Sequence, residues 1–512
     1  MMRRVQWRPP VDRVCVRGTL TTRIVRLIIM YKEGYFGMLD LVIRGGRVVT
    51  PWGVGQWDVA VAGEKIVAVA EPCTLQGEIG RILDASGKIV IPGGIEPHAH
   101  VASPVPGNPG ATTQPPEPVS RAALFGGTTT LTDFAIQHPG LDIPQAIDER
   151  TATWRGHSYC DYAHHCMLIG DIPLHVIAQV RDAIADGHAT FKIFTTNIRP
   201  TDRLPTVEQR RLVGMGHLSG VMEQAAKHGG MMFVHAEDDD IVQYMYKKLT
   251  VEARTDWYNI HEVHNNLSED MAFRRVLRLA EWTGAAVYFV HVSAKEGLNA
   301  MREARGRGLP VYGETLHNYV SFNAEDYKRG PQYHTYPSLK SEEDQLALWD
   351  GLLNGGISSM ATDGSCTDFA MKVAGRTIHD VSGGHHGIET RMGITYTEGV
   401  VKRGMPLQQF VEITSTNAAR MMGYYPRKGA IAPGSDADIV LIDPSIKKTL
   451  SLHDLHLGDY SIWEGWEIEG WPVTTVLRGK VMVENGQFYG NPTDGRFIPR
   501  KIDSLILSRP AC

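Results

Sequence analysis

The chain has 512 residues, 43% of them apolar and 21% charged, with a formal net charge of −5. That balance excludes the clustered basic surface of a nucleic-acid binder, and no apolar run approaches the roughly 20 residues that span a bilayer. The length suits one large barrel with a smaller accessory unit, and six scattered cysteines without a CxxC pair point to reduced thiols in a cytoplasmic protein.

Residues 1–37 are Arg-rich and acid-poor, and their apolar stretch RLIIMY is too short for the core of a signal peptide. They are expected to be a disordered extension ahead of Met38. From residue 39 to 90, LVIRGGRVV, DVAVAGEKIVAVA and GKIVIPGG alternate apolar residues with Gly-rich turns, which predicts antiparallel strands. The same texture returns in DADIVLID (436–443) and VTTVLRGKVMVENG (473–486). Residues 38–92 and 430–492 are therefore expected to build one small β-sandwich, with residues 493–512 as a C-terminal tail.

Residues 93–429 alternate buried strands with helices. Strands are expected at Thr128–Phe134, Phe191–Thr195, Met231–His235, Val287–His291, Leu309–Tyr312 and Ser358–Asp363. Of the helices between them, one has Ser268 as N-cap and Gly284 as stop, and another has Ser341 in front and Gly355 behind. Repeated βα units over more than 300 residues, with no GxGxxG or Walker pattern, favour a (β/α)8 barrel over a doubly wound sheet.

Five stretches put a potential metal ligand at or just past the end of a predicted strand: His98 and His100, Lys192, His235, His291, and Asp363. In a barrel such ends converge on one face, where active sites of this fold lie. Singly, each has an ordinary explanation. The HxH pair can be incidental, although period-two alternation aims both imidazoles the same way. His235 and His291 can be satisfied core histidines, and Asp363 can be a turn residue. Lys192 stands between Phe191 and Ile193 in a strand that should be buried. It either snorkels, enters a buried ion pair, or loses its proton on burial and becomes reactive toward carbon dioxide. The resulting carbamate is anionic and can bridge two cations.

The set as a whole resembles the binuclear amidohydrolase superfamily and, within it, the hydantoinase/dihydropyrimidinase family. The likeness runs from about residue 38 to 492. It is carried by GGIEPHAH, AALFGGTTTLTDFA, VYGETLHNY, GGHHGIETR and KGAIAPGSDADIVLIDP. It implies a distorted barrel with a small β-sandwich and two divalent metal ions. One ion would be held by His98, His100 and Asp363, the other by His235 and His291, with carboxylated Lys192 bridging. Zinc is expected, though these ligands also suit manganese, cobalt and iron. CDYAHH aligns with the family's DYxxH, which puts Tyr162 in the place of a catalytic tyrosine that donates to the oxyanion. Asp363 would move the proton from a bridging hydroxide to the leaving nitrogen.

The implied reaction opens a cyclic amide or imide. Dihydroorotases carry an arginine two positions after the HxH; Ala102 here argues against that substrate. Tyr336 and Ser382 fall at the family's substrate-contacting positions, replacing its usual Ser and Asn. The resemblance also implies a homo-oligomer, dimer or tetramer. Three alternatives remain: an allantoinase-like ring hydrolase, a non-catalytic relative that lost its ligands, and a mononuclear deaminase. The presence of all six ligands opposes the second, and Lys192 opposes the third.

Overall fold

The period-two stretches at the two ends of the chain meet in one mixed sheet. In a computed structural model that describes residues 38–512 apart from 106–107, 109 and 205–209, its strands are β1 (Leu39–Thr50), β2 (Gly53–Ala62), β3 (Lys65–Ala70), β4 (Ile79–Asp84) and β5 (Ile89–Pro92). The C-terminal β14 (Ile439–Thr449), β15 (Glu467–Leu477), β16 (Lys480–Glu484) and β17 (Gln487–Phe488) complete it. Its order is β17-β16-β15-β14-β5-β1-β2-β3, with β4 alongside β1. The antiparallel β5–β14 ladder joins the two ends of the chain. The extension expected over residues 1–37 lies outside the described residues.

Between these ends run β6 (Gly94–Glu96), β7 (Thr128–Gln137), β8 (Asp161–Leu168), β9 (Thr190–Phe194), β10 (Met231–His235), β11 (Ala286–Phe289), β12 (Val311–Leu316) and β13 (Ser359–Ala361). They lie side by side in chain order, all parallel. An Ala99–Gly364 bridge, with His100 N–H donating to Gly364 O at 2.8 Å, brings the two edges together into a distorted (β/α)8 barrel. Helices cover these strands, so β9 and β10 are buried on both faces and read as apolar runs rather than as alternation.

The structure departs from expectation at element ends. The predicted strand 287–291 stops at Phe289 and 358–363 stops at Ala361, because His291 (φ 39°) and Asp363 (φ 48°) leave the extended region. The strand expected at 309–312 starts instead at Val311, just after Pro310, which has no N–H to donate. β8 was not anticipated, since its two histidines and Asp161 interrupt the apolar run. Ser268 does not cap its helix. The helix spans Asn266–Thr283, and Asn265 Oδ1 accepts from Ser268 N–H at 3.0 Å. Gly284 stops it at φ 74°, as expected. Ser341 does cap Glu342–Leu353, and Gly355 follows the C-cap Asn354 at φ 77°, as expected.

Residues 496–506 close the N-terminal mouth of the barrel. Ile498, Ile502 and Ile506 pack with Met231, Phe233 and Tyr288, and Tyr312 Oη donates to Ile506 O at 2.8 Å. The opposite, C-terminal mouth is left for the site. No helix among the described residues is long and apolar enough to cross a membrane.

Candidate metal centre

His98 and His100 follow β6 directly, and Asp363 follows β13. Both imidazole Nε2 atoms face one carboxylate oxygen, Asp363 Oδ1, at 3.2 and 3.1 Å. The three possible ligand atoms lie within 4.8 Å of one another. Burial opposes ionisation of Asp363, but His98 and His100 beside it hold its carboxyl below the usual value.

Lys192, central in β9, is fully buried, and its Nζ has no hydrogen-bond partner among the described residues. It sits over the rings of Phe134 and Phe194, at 5.5 and 4.8 Å from their centroids. Burial pulls its ionisation down to about 8, against the opposing pull of Asp363 and Glu314. His235 ends β10, and its Nδ1 faces His291 Nε2 at 2.9 Å. The rings of His98 and His291 are 5.5 Å apart, which joins the two groups. All six side chains line one pocket at the C-terminal mouth.

These residues fit a cation pair. Imidazole nitrogens face each other and a carboxylate across short gaps, His98 Nε2 is buried without a hydrogen bond, and the lysine amine is an orphan. An orphaned buried amine costs free energy unless something compensates it. The left-handed backbone at His291 and Asp363 adds a further cost of about 1–3 kcal/mol each, of the kind retained at functional sites.

A layer of carboxylates behind the cluster escaped the reading of the sequence. Glu314 on β12 accepts from His98 Nδ1, from Tyr288 Oη at 2.7 Å and from His291 N–H at 3.3 Å. Burial pushes it up to about 8. Glu237 accepts from His235 Nε2 at 2.8 Å and from His264 Nδ1 at 2.9 Å. Although burial opposes it, those two histidines hold Glu237 well below the ordinary carboxylate range. Such carboxylates orient ligating histidines and select their tautomer. Glu96 accepts from the N–H groups of His98 (3.0 Å) and Thr362 (3.1 Å) and pairs with Arg391 at 3.2 Å, tying β6 to β13. The signals were present: Glu96 precedes His98 by two residues, Glu237 follows His235 by two, and Glu314 and Arg391 stand in YGET and GIETR.

Tyr162 does not join the cluster, and its role as oxyanion donor is corrected. It is the second residue of β8, whereas Met167 near the other end of that strand lines the pocket. Its N–H donates to Arg496 O at 2.9 Å and its carbonyl accepts from Ile498 at 2.8 Å, which puts it at the closed mouth. There its ring stacks on Trp154. Tyr336 and Ser382 do line the pocket. Tyr336 Oη donates to Val381 O at 3.1 Å, and buried Lys372 donates to the carbonyls of Ser382 and His334, each at 2.6 Å.

The fold and this cluster at the strand ends define an amidohydrolase-type barrel. The amidohydrolase family profile matches residues 89–482. A D-hydantoinase of Streptomyces coelicolor is 34% identical, with 90% of this chain and 97% of the relative covered. The dihydropyrimidinase of Rattus norvegicus is 30% identical, covering 90% and 89%. The crystal structure of dihydropyrimidinase from Brevibacillus agri superposes with a TM-score of 0.84 at 33% identity, covering 90% of this chain and 98% of that one. The chain belongs to the hydantoinase/dihydropyrimidinase family of amidohydrolases. An allantoinase is a weaker match than the D-hydantoinase, so the allantoinase-like alternative is not favoured.

Proposed function

We propose that the chain hydrolyses the C–N bond of a cyclic amide, a hydantoin, dihydropyrimidine or related imide, at a two-metal centre. His98, His100 and Asp363 would hold one cation and His235 and His291 the other, with Lys192, once carboxylated on Nζ, as a ligand available to both; zinc would suit this donor set. Bound there, the metals supply a nucleophile from water near neutral pH and polarise the amide carbonyl.

The chain's own residues then do the rest. Asp363 takes the proton of the attacking water on its carboxylate and returns it to the departing ring nitrogen, since one carboxylate at the cluster's open side reaches both. Glu314 and Glu237 fix the rings of His98 and His235. The loop carrying Tyr336 and the Lys372-anchored backbone at Ser382 orient the ring amide. A homo-oligomer is the expected assembly.

The observation that carries this reading is the orphaned Lys192 amine amid four imidazoles and one carboxylate in a single pocket. The test is a ring-opening screen over hydantoins, dihydrouracil, allantoin and succinimide, with metal content measured on the same sample. Two ions per chain with ring opening are expected. A metal-loaded sample that opens none of these rings, or that releases ammonia from a pyrimidine, overturns the reading.

A further inference from the structure

The reaction leaves two cations of the pocket unused. Arg199 and Arg211 both line it, on the side of Phe194 and Ile198. Arg199 is only 7% exposed. Its Nη2 donates to Val381 O at a long 3.3 Å, and its Nε has no hydrogen-bond partner among the described residues. Arg211 is held through its backbone, whose N–H donates to Asn197 Oδ1 at 2.9 Å. Burial pulls its ionisation down to about 10, and no carboxylate among the described residues opposes that pull. Asp380 is the acid that feels Arg199, yet its Oδ1 is occupied by Thr377 and the N–H of Arg376.

Two guanidiniums line this cleft with no acid among the described residues paired to either, so an anion entering it would be stabilised. Arg199 alone could be an anchor for the Val381 carbonyl, but that explains a single bond and leaves Arg211 without a role. The rest of that wall is apolar, with Ile136, Met167, Phe194 and Ile198, so the charge there is local. A guanidinium is also the side chain whose fork matches a carboxylate. Beside the metal-ligand histidines, by contrast, the two cations are accounted for: Lys192 belongs to the proposed metal centre, and Arg150, next to Ala102, is paired with Asp133. The acid group therefore belongs on a substituent that reaches away from the reacting amide, and not next to it.

We propose that Arg199 and Arg211 form a carboxylate-binding subsite, and that the substrate is a cyclic amide whose ring carbon carries a carboxylate-bearing side chain. This rests on the ring-hydrolase reading above and deepens it. The product is then a ring-opened amide acid with a second carboxylate. The same wall that accepts this substituent selects against neutral isosteres, because they leave both guanidiniums desolvated and unpaired.

The test compares 5-carboxymethylhydantoin with its neutral amide, 5-carbamoylmethylhydantoin, on the metal-loaded full chain, by kcat/KM and by calorimetric binding. The carboxylate is expected to win by at least about tenfold for each guanidinium that engages it. The ratio should fall toward one in Arg211→Met and in Arg199→Met. Arg211 is half-buried, so its variant keeps the test available if the buried Arg199 variant does not fold. Both rings opened equally well overturns the subsite and leaves the hydrolase standing. Neither ring opened, with the carboxylate still bound more tightly than the amide, sinks the hydrolase and keeps the subsite. Equal or absent binding with no turnover removes both.

Discussion

Lys192 and Asp363 act in different ways, and substitutions separate them. Under the proposed function Lys192→Ala removes the ligand shared by the two groups of histidines, so metal content and turnover should fall together. Added short carboxylates that enter the vacated space should restore part of both. Asp363→Asn keeps a ligand oxygen but cannot carry a proton, so ring opening should drop by about 10²–10⁴-fold while most of the metal remains. Full activity in either variant, measured beside metal analysis, removes that residue from the mechanism. Tyr162 supplies the contrast. Its ring stacks on Trp154 at the closed mouth of the barrel, so Tyr162→Phe should leave kcat within a few-fold of the parent. A true oxyanion donor would cost about 10²–10³ in kcat.

At the scale of elements, the barrel and the mixed sheet are joined by a buried charge network. Lys428 Nζ lies 2.5 Å from Asp161 on β8 and 2.6 Å from Asp438, next to β14, with Arg478 on the other oxygen of Asp161. Burial disfavours the Lys428 cation, but Asp438, Asp161 and Asp436 overcome it and raise its ionisation. Lys428→Met removes the buried cation shared by Asp161 and Asp438 and should lower the unfolding free energy by about 3–5 kcal/mol. Denaturant unfolding measures this, and an unchanged midpoint would show that the network does not bind the two sheets together. The β-rich texture of both ends of the chain announced the mixed sheet, and DAD was visible as a motif. Nothing in that motif said that its acids meet a lysine about ten residues earlier and an aspartate on a barrel strand.

At the scale of the molecule, the six ligand-type residues come from strands spread over residues 98 to 363, so the cluster exists only when the barrel is closed. Under the proposed function metal binds the native state and not the unfolded chain, which would add about 2.7 kcal/mol when free metal is 100-fold above its dissociation constant. Chelation should lower Tm by a few degrees or more and abolish ring opening. In Lys192→Ala the chelator should shift Tm much less. Equal shifts in both proteins would place the stabilising metal elsewhere.

What could be read from the linear order of residues was whatever is local or periodic. Apolar runs with Gly punctuation marked most barrel strands, HxH and single strand-end residues marked the ligand types, and a lysine between Phe191 and Ile193 announced its own cost. Element ends were less legible, because a left-handed φ at His291 and Asp363 is imposed by the cluster and not by local propensity. The mistaken role for Tyr162 has the same origin: a short motif names a residue type but not which mouth of the barrel it faces. Glu314 behind His98, Glu237 behind His235 and the arginine pair on the far wall are relations among distant segments. They arise because parallel strands bring their ends to a common rim, and only the closed barrel sets which side chains meet there.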